Sequence, residues 1–353
     1  MKPNPPLTSI TRRTLFSAMA MLPTVSALVL ADTPAAQAAT TDDPLPSWNE
    51  GPAKQAILKF ISVTTDKASP DYVAPEERIA TFDQDGTLWV EQPMPSQLVY
   101  CFDQVAVVAA KRPELKDVEP FKTVLSGDRE AIAKLTMPDL VKIVAATLTG
   151  MTTDEFGAEV TKWLATARDA RWKRPYTELT YQPMLEVLSY FRANGYKTYI
   201  VTGGGQDFVR VYSERVYGIT PEHVVGTMGG TKFGYDNEGK PFLTKEPRLL
   251  LNDDKAGKVE GIHMMIGRRP RAAFGNSTGD REMLEWTGAG AGARLEMLVL
   301  HDDADREYSY GPAFGLPTPK LGAFTQELYE EARKDGWTVI SMKTDWKRIF
   351  AFE

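Results

Sequence analysis

The residues able to do chemistry gather in a few short runs of this sequence. Asp83 and Asp85 stand two residues apart in Phe82-Asp83-Gln84-Asp85-Gly86-Thr87, straight after the apolar run Ile79-Ala80-Thr81-Phe82. By itself such a pair reads as a turn capping a helix. Thr202 leads into Gly203-Gly204-Gly205, where a hydroxyl and the backbone N–H groups of Gly203 and Gly204, opening a helix, suit an anion. Further along come Gly275-Asn276-Ser277-Thr278-Gly279-Asp280 and His301-Asp302-Asp303. The latter acids, with Asp305, admit a metal reading or a plain solvated loop.

Each run follows a hydrophobic segment, so the elements that must position them can be read next. Residues 51–62 have helical apolar spacing, and Arg78–Phe82 reads as a short buried strand. From Pro95 to about Tyr181 the periodicity is helical without a convincing strand, and Thr152-Thr153-Asp154-Glu155 supplies an N-cap. Strand and helix then alternate: helix MLEVLSYFRANG, strand KTYIVTGGG, helix QDFVRVYSERVYG, a hairpin across 224–250, helix GKVEGIHMMIG, strand RAAFGNS, helix DREMLEWTG, strand RLEMLVLHDD, and a last helix and strand. This alternation predicts an α/β fold, a three-layer, Rossmann-like, mostly parallel sheet core with an inserted all-helical cap. In such sheets ligands bind at the carboxyl ends of strands. All of the runs above lie there.

The order of these runs resembles the haloacid dehalogenase superfamily. FDQDGTLW is similar to its first motif, IVTGG to its second, Lys258 in DDKAGKVEGI to its third and FGNSTGD to its fourth. The helical insertion between the first two resembles the phosphoserine-phosphatase-like branch. The resemblance implies hydrolysis of a small phosphomonoester through an aspartyl phosphate on Asp83, with Asp85 protonating the leaving group and then activating water. It implies Thr202 as a donor to phosphate and Lys258 bridging Asp83 and phosphate, with Lys255 the rival. One departure is Asn276, where the family pattern commonly has aspartate. An Asn carbonyl still suits a hard cation, so the implied Mg²⁺ ligands are Asp83, the Asp85 backbone carbonyl, Asn276 and Asp280. Aligning Gly279-Asp280 instead would make Glu282 or Glu285 the second acid. Glu91 falls where an acid of this branch contacts a substrate amine, or it is a solvated loop acid. Trp89 would line the same entrance or simply pack.

Composition narrows the classes. With 41 Lys and Arg against 47 Asp and Glu, the charge of −6 argues against a nucleic-acid partner. Cys101 is the single cysteine, so no intrachain disulfide forms. Met1 to Arg13 is a basic leader ending in Arg12-Arg13, followed by the apolar run Leu15–Leu30 and Ala36-Gln37-Ala38. This reads as a secretory signal of twin-arginine type, cleaved after Ala38, with no stable membrane insertion afterwards; the alternatives are an ordinary secretory signal or an uncleaved anchor. Its removal takes Lys2, Arg12, Arg13 and Asp32, leaving −8. The expected organisation is a signal over 1–38, an α/β core over 39–94 and 181–353, a helical cap over 95–180, and a periplasmic location. Two other readings stay open: a dehalogenase or phosphotransferase on the same scaffold, and a silent periplasmic ligand-binding protein.

Overall fold

Four consecutive buried residues, Ile79–Phe82, make strand β1, as expected of a strand covered on both faces. A computed structural model, which describes residues 43–353, places β1 at the centre of a seven-stranded sheet. The expected export signal lies outside the described residues. The other strands are β2 (Lys197–Gly205), β3 (Val224–Tyr235), β4 (Pro241–Leu251), β5 (Ala272–Gly275), β6 (Leu295–Leu300) and β7 (Thr338–Ser341). Their order is β4-β3-β2-β1-β5-β6-β7, all parallel except the β3–β4 hairpin.

This order creates the place where a site can form. The chain leaves β1 toward β2, β3 and β4 on one side, then returns to β5, β6 and β7 on the other. The strand order therefore reverses at β1, and a crevice opens beyond its carboxyl end. Register aligns Phe82 with Ile200 of β2 and with Phe274 of β5, so the residues that follow each strand emerge side by side. Phe82 and Phe274 stack with centroids 4.5 Å apart. Both meet Phe191 edge-on, which locks the three elements together.

Helix α1 (Pro52–Thr65) precedes β1. Between β1 and β2 the chain forms α2 (Ser96–Lys111), α3 (Phe121–Ser126), α4 (Arg129–Ala133), α5 (Met137–Thr147) and α6 (Thr153–Thr166), and then α7 (Gln182–Ala193), which carries Phe191. Thr152 and Glu155 cap α6 reciprocally: the Glu155 N–H donates to Thr152 Oγ1 at 3.1 Å, and the Thr152 N–H to Glu155 at 2.8 Å. The run EPFKTVLSGDREAIAKL is not one helix, because Gly127 takes φ +69° and separates α3 from α4.

After β2 come α8 (Gln206–Arg210) and α9 (Ser213–Tyr217), and later α10 (Ala256–Met265), α11 (Arg281–Gly288) and α12 (Gln326–Asp335). QDFVRVYSERVYG, expected as a single helix, breaks at Tyr212, whose φ of −127° is not helical. The break buries the Tyr212 ring against Trp89. The hairpin turns at Asp236–Gly239, and its second strand takes the backbone of the inserted helical segment: the Lys245 N–H donates to the Met151 carbonyl and the Gly150 N–H to that of Lys245, both at 2.9 Å.

Candidate active site

Asp83 follows β1 directly, its N–H donating to the Phe274 carbonyl at 2.9 Å, so the parallel ladder aims it into the crevice. Three residues on, Gly86 turns the loop with φ +78°. A Cβ there would stand 2.0 Å from Asn276 Nδ2, so only glycine lets the loop from β1 touch the loop from β5.

Lys258, on α10, is buried and spends its three N–H groups at this junction. It donates to Asp83 Oδ1 and Asp280 Oδ1, both at 2.6 Å, and to the Val201 carbonyl at 2.7 Å. Burial disfavours its ammonium, but the charges of Asp280, Asp83 and Asp253 outweigh burial and hold its pKa above the ordinary value. Lys255 is exposed at the head of α10 with φ +55°, away from these carboxylates. Burial, then the Asp280 charge, pushes Asp83 up to about 8 against the pull of Lys258. Asp280 is itself fully engaged: its Oδ2 receives the N–H groups of Asn276 and Ser277 at 3.0 Å.

Asp85 occupies a different environment. Its Oδ1 accepts from the Trp89 indole N–H at 2.6 Å, and burial pushes it up to about 6, with Trp89 and Lys258 pulling back. Trp89 is a buried, bonded part of the site rather than an entrance residue. The two aspartates therefore face different partners, which sets their titration apart.

The glycine run differs from expectation. β2 continues through it to Gly205, with an irregularity between Thr202 and Gly205, and no turn follows Thr202 directly. The Gly204 N–H donates to Thr202 Oγ1 at 3.0 Å, and the Gly205 N–H to Gln97 Oε1 of α2 at 2.6 Å. Gly204 is thus not a free anion donor. Its part is to orient the Thr202 hydroxyl, which accepts from it and keeps its own hydrogen to give. Gly203 stands between them, its carbonyl accepting from Thr227 Oγ1 at 2.8 Å.

Glu91 is neither a solvated loop acid nor open at the mouth. It is buried, and its Oε2 accepts from Tyr310 at 3.0 Å and from Asn276 Nδ2 at 3.3 Å. Burial, then the charges of Asp85 and Asp83, hold it well above the usual carboxylate range. Asn276 Oδ1 accepts from Thr87 at 3.3 Å. Behind them His301 Nε2 meets the Gly86 carbonyl at 2.8 Å and the Tyr310 hydroxyl at 3.0 Å, while its Nδ1 meets Glu307 at 3.0 Å.

His301 marked a chemically loaded strand end, but the acids beside it drew the metal reading. Asp302 is bound to Ser341 and Asp303 to Arg306, both at 2.6 Å, which gives these acids structural partners. Asp253 was also missed. Neither of its buried oxygens has a hydrogen-bond partner among the described residues, and burial pushes it up to about 7 despite Lys258.

Among the described residues no three His, Cys, Asp or Glu side chains form a ready-made metal cage. The donor set for a hard cation is mixed: a carboxylate oxygen of Asp83, the Asp85 carbonyl and the Asn276 amide oxygen. Asp280, saturated by its own bonds, would reach such a cation only through water.

A family model for haloacid dehalogenase-like hydrolases matches residues 80–285. No curated protein matches the sequence. Among solved structures, a protein of unknown function from Bordetella pertussis Tohama I is similar at 17% identity over 75% of this chain and 98% of that one, with a TM-score of 0.45. A conserved protein of unknown function from Anaerococcus prevotii DSM 20548 is 15% identical over 71% and 86%, with 0.48. A phosphoserine phosphohydrolase-like protein from Francisella tularensis subsp. tularensis SCHU S4 is 15% identical over 64% and 88%, with 0.36.

Proposed function

This chain belongs to the haloacid dehalogenase-like hydrolase family, and from that premise we propose that it hydrolyses small organic phosphomonoesters through an aspartyl phosphate on Asp83. The observation that carries the reading is Lys258, which pairs with Asp83 through one oxygen and leaves the other free at the strand end. Asp85 stands two residues away in a setting that favours carrying a proton near pH 6.

Asp83 Oδ2 attacks phosphorus, and the bond from phosphorus to the ester oxygen breaks. Asp85 gives its proton to that oxygen as it leaves. Thr202 donates its hydroxyl to a non-bridging phosphoryl oxygen, and Lys258 orients Asp83 and favours its ionised form. In the second half Asp85 takes a proton from water as its oxygen attacks phosphorus, and Asp83 and inorganic phosphate separate. Asp83, the Asp85 carbonyl and Asn276, with Asp280 through water, would hold Mg²⁺, which would neutralise charge on the phosphoryl oxygens. The all-oxygen donor set and the excess of acids over the one ammonium fit such a cation.

The phosphoserine-phosphatase-like branch belongs to the same reading, supported by the helical segment between β1 and β2. So does export by the twin-arginine route to the periplasm, which rests on Arg12-Arg13 and the apolar run after them. We further take the partner to be a small phosphomonoester rather than nucleic acid, in line with the net charge of −6. Phosphate release from p-nitrophenyl phosphate tests the activity: it should require Mg²⁺, stop on chelation and resume on adding the metal back. Activity that persists in chelator would contradict the metal assignment.

A further inference from the structure

Asp85 does not hang free at the end of its turn. Trp89 is buried, and its indole N–H donates to Asp85 Oδ1 at 2.6 Å. The indole is itself immobilised. It stacks on Tyr212 with centroids 4.9 Å apart and 21° between planes, and meets Tyr217 edge-on at 6.3 Å. Tyr212 accepts from Gln84 Nε2 at 2.7 Å, so the platform is tied back to the residue between the two aspartates. The Trp89 carbonyl accepts the Gly86 N–H at 2.9 Å, fixing the backbone as well.

An indole nitrogen donates and cannot accept. An oxygen held by it at 2.6 Å has no room for a proton of its own along that line. The carbonyl oxygen of a carboxyl group is the better acceptor, so the indole favours a proton of Asp85 on Oδ2. That oxygen lies on the side of Gly204 and the Thr202 hydroxyl: a Cβ built on Gly204 would be 3.8 Å from Asp85 Oδ2 and 3.2 Å from Thr202 Oγ1. This is the side on which the phosphatase reading puts the phosphoryl group, through the Thr202 hydroxyl.

We propose that Trp89 is a positioning residue for proton transfer: by occupying Oδ1 of Asp85 it confines the transferable proton to Oδ2, facing the leaving group. The inference rests on the phosphatase reading above. In the step it serves, the proton on Oδ2 moves to the ester oxygen as the phosphorus–oxygen bond breaks, leaving Asp85 ionised. Water returns a proton to the same oxygen when the phosphoenzyme is cleaved. A carboxyl free to rotate would present its proton in the wrong direction for part of the time, and proton transfer is sensitive to reach and direction.

The test is Trp89→Phe, which keeps a ring on Tyr212 and removes the donor. Poor leaving groups need the proton and good ones hardly do. Formation of the phosphoenzyme, read as alcohol release in a single turnover, should therefore fall about ten- to a hundredfold for an alkyl ester such as glycerol phosphate, and by less than about threefold for p-nitrophenyl phosphate. An equal loss on both esters would mean that Trp89 only packs, and would overturn the proposal. A second measurement does not depend on activity. With indole ¹⁵N labelling, the N–H signal that disappears in Trp89→Phe belongs to Trp89. It should lie far downfield, move upfield in Asp85→Ala and hold its place in Asp83→Asn. A signal indifferent to Asp85→Ala would show that the bond does not exist. Should the unaltered protein release phosphate from neither ester, the phosphatase reading falls, and the indole signal still decides the Trp89–Asp85 contact.

Discussion

His301 Nε2 lies 2.8 Å from the carbonyl oxygen of Gly86, in the loop that joins the two aspartates to the rest of the chain. A backbone carbonyl only accepts, so this nitrogen carries a hydrogen. Nδ1 lies 3.0 Å from Glu307. The pair is buried and clamps the loop from behind.

Replacing His301 by leucine leaves Glu307 buried without its partner and the Gly86 carbonyl without a donor. Loss of one member of a buried pair costs about 3–5 kcal/mol. Urea denaturation should show a loss of that order, with a smaller one for Glu307→Gln, which keeps a hydrogen-bonding partner for Nδ1. A neutral His301→Leu would refute the clamp.

Gly86→Ala puts a methyl 2.0 Å from Asn276 Nδ2 at a residue with φ +78°. Backbone strain alone costs about 1–3 kcal/mol, and the collision pushes the loops of β1 and β5 apart. A lower melting temperature should accompany loss of phosphate release. An alanine variant with full activity would mean that the two loops need not touch.

The metal-free protein should grow less stable as pH rises. Burial places Asp85 at about 6, Asp253 at about 7 and Asp83 at about 8, all above the ordinary 3.8. Between about pH 4 and pH 8 the folded chain therefore holds protons that the unfolded chain has released, and stability falls with pH across that window. A divalent cation favours the ionised forms, so the rise in melting temperature caused by Mg²⁺ should be larger at pH 8 than at pH 5. Asp253→Asn should reduce the slope. A metal-free protein that melts higher at pH 8 than at pH 5 would reverse the sign and contradict this account.

Lys258→Met removes the ammonium between Asp83 and Asp280. Loss of such a preorganised charge lowers turnover by about 10²–10³-fold. Arginine should not restore it, because three bonds of 2.6 to 2.7 Å surround a compact ammonium and leave no room for a planar fork. Steady-state rates of folded variants, checked by circular dichroism, settle the point. Near-normal turnover by either variant would count against the assignment.

The parts of this arrangement that could be read from the sequence are local ones. Asp83 and Asp85 stood out because a strand signal ran straight into them, and the alternation after Tyr181 sufficed for the mostly parallel sheet. What stayed illegible depends on partners distant in the chain. Glu91 meets Tyr310 across 219 positions and Gly86 meets His301 across 215, and neither pair has any spacing to recognise. Trp89, four residues from Asp85, was within reach of sequence reading. A buried tryptophan usually packs, and only the direction of its N–H shows otherwise. The glycines misled in the opposite sense: Gly204 looked like an anion donor, yet the strand extends past it and its N–H is taken by Thr202.

The central claim is that Asp83 becomes phosphorylated, and reductive trapping tests it most directly. The protein, mixed with a phosphomonoester and Mg²⁺, is quenched with borohydride, which reduces an acyl phosphate to the alcohol. Peptide mass spectrometry should then find homoserine at position 83 in the presence of substrate, and unmodified aspartate without it. Rapid phosphate release with position 83 always recovered as aspartate, or with the reduced residue at another acid, would contradict the account.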